Sequence, residues 1–143
     1  MSNRYRKGSH CKYSLKVHII LVTKYRKKIL YDKISDVLKQ IIYKVSKLKG
    51  YDIIRMETDK DHIHILIEYK ASDSISNIVK ILKQYTTYIL WKLYNDILLK
   101  FYWKRKIIWS ERYFACSIGQ VSQSIIEKYI ESQGGFIALI PTP

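Results

Sequence analysis

Apolar and polar positions alternate from Tyr13 to Tyr25, with Tyr13, Leu15, Val17, Ile19, Leu21, Thr23 and Tyr25 at one parity. A period of two puts such residues on one face of a β-strand, because successive side chains point to opposite sides. The period then changes. Ile34, Val37, Leu38, Ile41, Ile42, Val45 and Leu48 recur every three or four residues, as the apolar stripe of a helix does, and Gly50 stands where that helix should stop. Tyr51 to Glu57 reads as a second strand and His62 to Tyr69 as a third. The polar run Thr58-Asp59-Lys60-Asp61 turns one into the other, which makes a hairpin. A second helix starts near Asp73 or Ser74 and runs to about Tyr94, with Ile75, Ile78, Val79, Leu82, Tyr85 and Ile89 as its stripe. Residues 100 to 112 have no readable period. Tyr113 to Ile118 reads as a fourth strand broken by Gly119, and Ser122 is placed to cap a last helix ending at Gly134-Gly135.

The order is β-α-β-β-α-β-α. Its first six elements fit the ferredoxin-like (RRM-like) α+β arrangement, an antiparallel sheet with two helices on one face. The other face is expected to lie open as a working surface. Residues 1–143 are read as one domain, with 1–11 a flexible basic arm and 136–143 a short apolar tail.

Composition adds a partner. The chain has 26 Lys and Arg against 12 Asp and Glu, a formal charge of +14, which calls for a polyanion such as nucleic acid. The basic residues fall in three groups: Arg4, Arg6 and Lys7; Lys24, Arg26, Lys27 and Lys28; and Lys100, Lys104, Arg105 and Lys106. Phe101, Tyr102, Trp103 and Trp109 are interleaved with the third group, so it combines charge with surfaces for base stacking. The competing reading is a solvated surface that keeps the protein soluble. Cys11 and Cys116 make no disulfide framework and no cysteine-based zinc site. No run reaches membrane-span length, and Met1 to Lys12 lacks the apolar segment of a signal peptide. The expectation is a cytoplasmic protein without a membrane partner or a nucleotide cofactor.

Candidate chemistry sits in Asp61-His62-Ile63-His64. On a strand the two imidazoles share one face, close enough to hold one metal ion. Spacing alone leaves open that they are two polar residues on a solvated face. Two ligands leave coordination positions free, which favours a working site for Mg²⁺ or Mn²⁺ over a structural zinc site. Tyr129 and Gln133 stand i and i+4 on the last helix, so they share a face, whereas Glu131 points elsewhere. Gln133 offers a neutral third ligand and Tyr129 a nucleophile. By spacing alone Tyr129 reads first as an amphipathic anchor on the helix.

His62-Ile63-His64, Tyr113-Phe114 with Gly119, Tyr129-Ile130-Glu131-x-Gln133 and Thr23-Lys24-Tyr25-Arg26-Lys27-Lys28 together resemble the HUH-type single-tyrosine transposases of bacterial insertion sequences, the IS200-like family. Arg112 and Cys116 depart from that pattern. The resemblance implies a homodimer that cuts and rejoins single-stranded DNA with hairpin ends. His62, His64 and Gln133 would hold Mg²⁺ or Mn²⁺, and Tyr129 would form a 5′-phosphotyrosine. Gly119 would be the hinge that lets the tyrosine helix serve the partner's site. Two alternatives stay open: a replication-initiator or relaxase-type nuclease, and a non-catalytic single-stranded nucleic-acid-binding domain.

Overall fold

The computed structural model describes residues 6–7, 12–13, 15–103, 105–117 and 130–131. In chain order the elements are β1 (Leu15–Thr23), α1 (Asp32–Lys49), β2 (Asp52–Asp59), β3 (His62–Tyr69), α2 (Ile75–Leu93), α3 (Asn95–Tyr102) and β4 (Trp109–Ser117). Ahead of them, within the segment read as an arm, Arg6–Lys7 pairs with Lys12–Tyr13. The sheet order is β2-β3-β1-β4 with every neighbour antiparallel, the ferredoxin-like topology expected from the element order.

One face of the sheet carries the main core. Val17, Ile19 and Leu21 of β1 and Ile63, Ile65 and Ile67 of β3 form one buried cluster with the α1 and α2 stripes. Leu48 is the exception on α1: it is 74% exposed. On α2 the buried stripe turns away from Tyr85 to Thr86, Leu90 and Trp91. Thr86 tolerates burial because its hydroxyl donates to the Leu82 carbonyl at 2.7 Å. The Ser74 hydroxyl caps α2 by accepting from the Asn77 amide at 3.1 Å.

Gly50 ends α1 at φ +86°, and its amide donates to the Ser46 carbonyl. A Cβ there would meet only the end of the Lys70 side chain, at 3.5 Å. Gly50→Ala is therefore expected to cost about 1 kcal/mol through backbone conformation alone. A lower urea midpoint at unchanged slope would report it.

Within residues 100–112, without a readable period, 100–102 close α3 and 109–112 open β4. Tyr102 and Trp109, grouped above with the stacking aromatics, belong to the core at 5% and 7% exposure. The Trp109 indole donates to Thr86 Oγ1 at 2.9 Å. The Tyr102 hydroxyl donates to the Lys24 or Ile108 carbonyl, each at 3.1 Å, and burial pushes its pKa far above the usual range. Trp103, by contrast, is 73% exposed.

The second sheet face is not open throughout, as the pattern of elements implied. Ile20, Val22 and Phe114 are fully buried there, with Cys116 and Ile130 packed against them. Ile130 and Glu131 have helical backbone, inside the span read as the last helix. Gly119, Ser122, Tyr129, Gln133 and the 136–143 tail lie outside the described residues.

Candidate active site

β3 pairs with β1 on one side and β2 on the other, and the register decides what stands beside each histidine. His62 lies between Val22 and Asp59, and His64 between Ile20 and Glu57. Because Ile63, Ile65 and Ile67 are buried against the helices, both imidazoles fall on the second face. The sequence places them together and the structure does the same. It adds a third imidazole: His18 Nδ1 is 2.8 Å from His64 Nε2.

The hairpin loop of Lys60 and Asp61 is held by the segment after β1. The Thr23 amide donates to the Asp61 carbonyl and the Leu30 amide to the Lys60 carbonyl, both at 2.9 Å. Between them the chain makes a 3-10 turn, Lys24–Arg26, with Tyr25 and Arg26 at φ 59° and 51°. Left-handed backbone in two successive non-glycine residues is strained and needs support. The Thr23 hydroxyl supplies some by donating to the Lys27 carbonyl at 2.7 Å, and the Lys24 amide donates to the Ile108 carbonyl at 2.7 Å. The turn delivers Arg26 to Asp61, where Nε donates to Oδ2 at 3.0 Å.

Asp61 uses its other oxygen on the histidine that follows it: Oδ1 accepts from His62 Nδ1 at 2.9 Å. Burial opposes ionisation of Asp61, but the hydrogen bonds from His62 and Arg26 and the positive charge of Arg26 outweigh it, so its pKa falls below the ordinary carboxylate value. A carboxylate that takes Nδ1–H leaves the other ring nitrogen, Nε2, with a free lone pair; ligating histidines are commonly held this way. Burial, then the charge of His18, lowers the pKa of His64 against the opposite pull of Glu57. Burial and Arg55 lower that of His18. Both rings are thus neutral donors at neutral pH.

Beside His62 a cleft of about 480 Å³ is bordered by Arg26, Lys28, Lys60, Asp61, Ile130 and Glu131. Arg26, Lys28 and Lys60 bring positive charge to its rim, where Asp59, Asp61 and Glu131 also stand. Glu131, expected to face away from the Tyr129–Gln133 side of its helix, borders this cleft. Among the described residues, no three His, Cys, Asp or Glu side chains converge as a complete metal-binding group. An ion held here by His62 and His64 would need further ligands from another residue type, from the undescribed residues, or from water and phosphate.

Of the basic residues named from sequence, Arg26 is committed to Asp61 through Nε and keeps its side chain 34% exposed at the cleft. Lys24 and Lys27 are half-buried, while Arg105 and Lys106 are exposed just ahead of β4. Arg4 and Lys104 lie outside the described residues, as does the Arg6 side chain.

The family model for IS200-like transposases matches residues 11–133. The chain belongs to the IS200-like transposase family. It is 30% identical over 128 residues to the ISDra2 transposase TnpA of Deinococcus radiodurans, covering 90% of each chain. To the transposase for insertion sequence element IS200 of Salmonella typhimurium it is 28% identical over 125 residues, 87% of this chain and 80% of that one. Its structure is similar to a crystal structure assigned as a transposase from D. radiodurans R1, with TM-score 0.82 and 27% identity, covering 90% and 97% of the two chains. The fold is also that of a REP-associated tyrosine transposase bound to a REP hairpin, at TM-score 0.54 and 18% identity over 96% of this chain and 76% of that one. This IS200-like transposase is thus an enzyme of DNA transposition and recombination, and DNA is its partner.

Two residues of the transposase's site were not singled out from sequence. Asp61 stood next to the pair, and its signal was the Asp-His dipeptide at a hairpin turn. His18 has the parity opposite to Val17 and Ile19, which placed it on the second face, but nothing in β1 alone pointed to His64.

Proposed function

We propose that this transposase cuts and rejoins single-stranded DNA at insertion-sequence ends, with His62 and His64 holding Mg²⁺ or Mn²⁺ and Tyr129 as nucleophile. The observation that carries the reading is the Asp61–His62 hydrogen bond at the mouth of this cleft. It sets the tautomer a ligating histidine needs, in a place reached by the residues next to Tyr129. Gln133 is the third protein ligand, and it adds no negative charge. A bound divalent ion would polarise the scissile phosphate and favour the phenolate over the phenol.

The chain's own residues do the rest. Lys28 and Lys60 line the approach and attract the DNA backbone. The Tyr129 oxygen attacks phosphorus, forming the 5′-phosphotyrosine bond as the bond to the 3′ oxygen breaks. The 3′ oxygen leaves and takes up a proton to become a free 3′-OH. Because one phosphodiester replaces another, the strand can be rejoined without ATP. The working unit is a homodimer of single-domain chains, 1–143, acting on hairpin-bearing ends in the cytoplasm, with Gly119 as the hinge for the tyrosine helix. No helix among the described residues is long and apolar enough to cross a membrane. A stacking module is disfavoured because the aromatic residue on the central part of the second face, Phe114, is fully buried.

The test is a cleavage assay with labelled DNA carrying the element's end. Cutting should require added Mg²⁺ or Mn²⁺, stop with chelator, and be much weaker on duplex DNA of the same sequence. Cutting that survives chelation would overturn the metal assignment. A second expectation concerns the tautomer. Asp61→Asn should lower divalent-ion affinity roughly 10- to 100-fold, measured by Mn²⁺ titration, because the amide no longer compels His62 to keep its proton on Nδ1.

A further inference from the structure

We propose that His18 is a positioning residue for the metal centre: its Nδ1 accepts the Nε2–H of His64, which leaves His64 Nδ1 as the nitrogen open to the ion. The inference rests on the reading of His64 as a ligand and adds which atom ligates and what holds it.

The geometry separates a supporting role from a ligating one. His18 Nδ1 and His64 Nε2 are 2.8 Å apart and the ring centres 5.0 Å apart. That is close to the widest separation a 2.8 Å nitrogen contact allows, so the two nitrogens face each other head-on. A metal bonded to both would sit at about 2.0–2.1 Å from each and, between nitrogens so aligned, would need them roughly 4 Å apart. The gap holds a proton and not a metal ion.

Two ring nitrogens 2.8 Å apart must share one proton, because two lone pairs or two N–H groups facing each other would repel. If His18 donated it, His64 would spend its only lone pair on His18 and carry its own proton on Nδ1, with nothing left for an ion. If His64 donates, Nδ1 is free. Only the second arrangement lets His64 ligate without breaking the contact. The two ligands are then supported alike from opposite sides. Asp61 holds His62 by Nδ1 and leaves Nε2, while His18 holds His64 by Nε2 and leaves Nδ1. The strand register makes this possible: His18 pairs with Leu66, one same-face position along from His64, so the two rings meet on the diagonal.

Two measurements test it. In metal-free, ¹⁵N-histidine-labelled protein, long-range ¹H–¹⁵N spectra should show His64 as the Nε2–H tautomer; the Nδ1–H tautomer would overturn the proposal. Mn²⁺ titration followed by EPR should then show His18→Ala weakened roughly 10- to 100-fold. His18→Asn, whose Oδ1 occupies the place of Nδ1, should restore binding, and His18→Gln, whose oxygen lies one bond farther out, should not. Wild-type affinity in His18→Ala, or equal behaviour of the Asn and Gln variants, would overturn it. His62→Ala separates the two failures. If it loses Mn²⁺ while His18→Ala does not, only the role of His18 falls. If neither loses Mn²⁺, the metal reading falls with it.

Discussion

His62→Ala is expected to lower single-turnover cleavage on the order of 10³-fold or more while leaving the fold intact. The magnitude follows from losing a metal ion's several kcal/mol of charge stabilisation, at about 1.4 kcal/mol per tenfold in rate. The fold should survive because His62 is only half-buried and outside the core, whose contacts are carried by its strand neighbours Ile63 and Ile65. Asp61 keeps Arg26 as its partner, so no buried charge is stranded. Circular dichroism and melting should match wild type, and DNA binding through Lys28 and Lys60 should persist. A rate within tenfold of wild type, with the same metal requirement, would remove His62 from the ligand set.

Tyr129→Phe is expected to abolish the covalent protein–DNA band on a denaturing gel and to lower cleavage roughly 10⁴-fold or more, as loss of a nucleophile does. The substitution keeps the ring and removes one oxygen, so DNA affinity and Mn²⁺ binding should stay as they were. That split between binding and chemistry separates a nucleophile from an anchor, the other role the spacing allows. Undiminished cutting in the variant would assign the attack to water or to another residue.

Much of this arrangement was legible in the sequence, for reasons that differ by element. The α1 stripe and Gly50 were clear because an amphipathic helix packed on one side repeats a simple period. The hairpin was clear because polar turn residues separate two runs, although pairing of Asp59 with His62 makes the loop two residues rather than four. His62 and His64 were legible because strand alternation alone puts them on one face. The second face was misjudged where both parities of β1 are apolar. Ile19-Ile20-Leu21-Val22 is a continuous buried run, the mark of a strand covered on both sides, and its even members meet Phe114 and Ile130. Tyr102 and Trp109 looked like stacking surfaces because cations surround them in sequence. Their polar atoms have partners distant in the chain, Trp109 with Thr86 and Tyr102 with the Lys24 carbonyl. The contact of His18 with His64 spans 46 residues and depends on register, which no local pattern encodes.

The central claim is that Tyr129, served by the histidine pair, takes the 5′ phosphate of the cut strand. Its most direct test is to trap the adduct on single-stranded DNA with Mn²⁺, digest protein and DNA, and sequence the modified peptide by mass spectrometry. The expected result is one peptide with a nucleotide 5′-phosphate on Tyr129, and a released fragment ending in a free 3′-OH. A modification on any other residue, or cut ends with no adduct and a free 5′ phosphate, would contradict it.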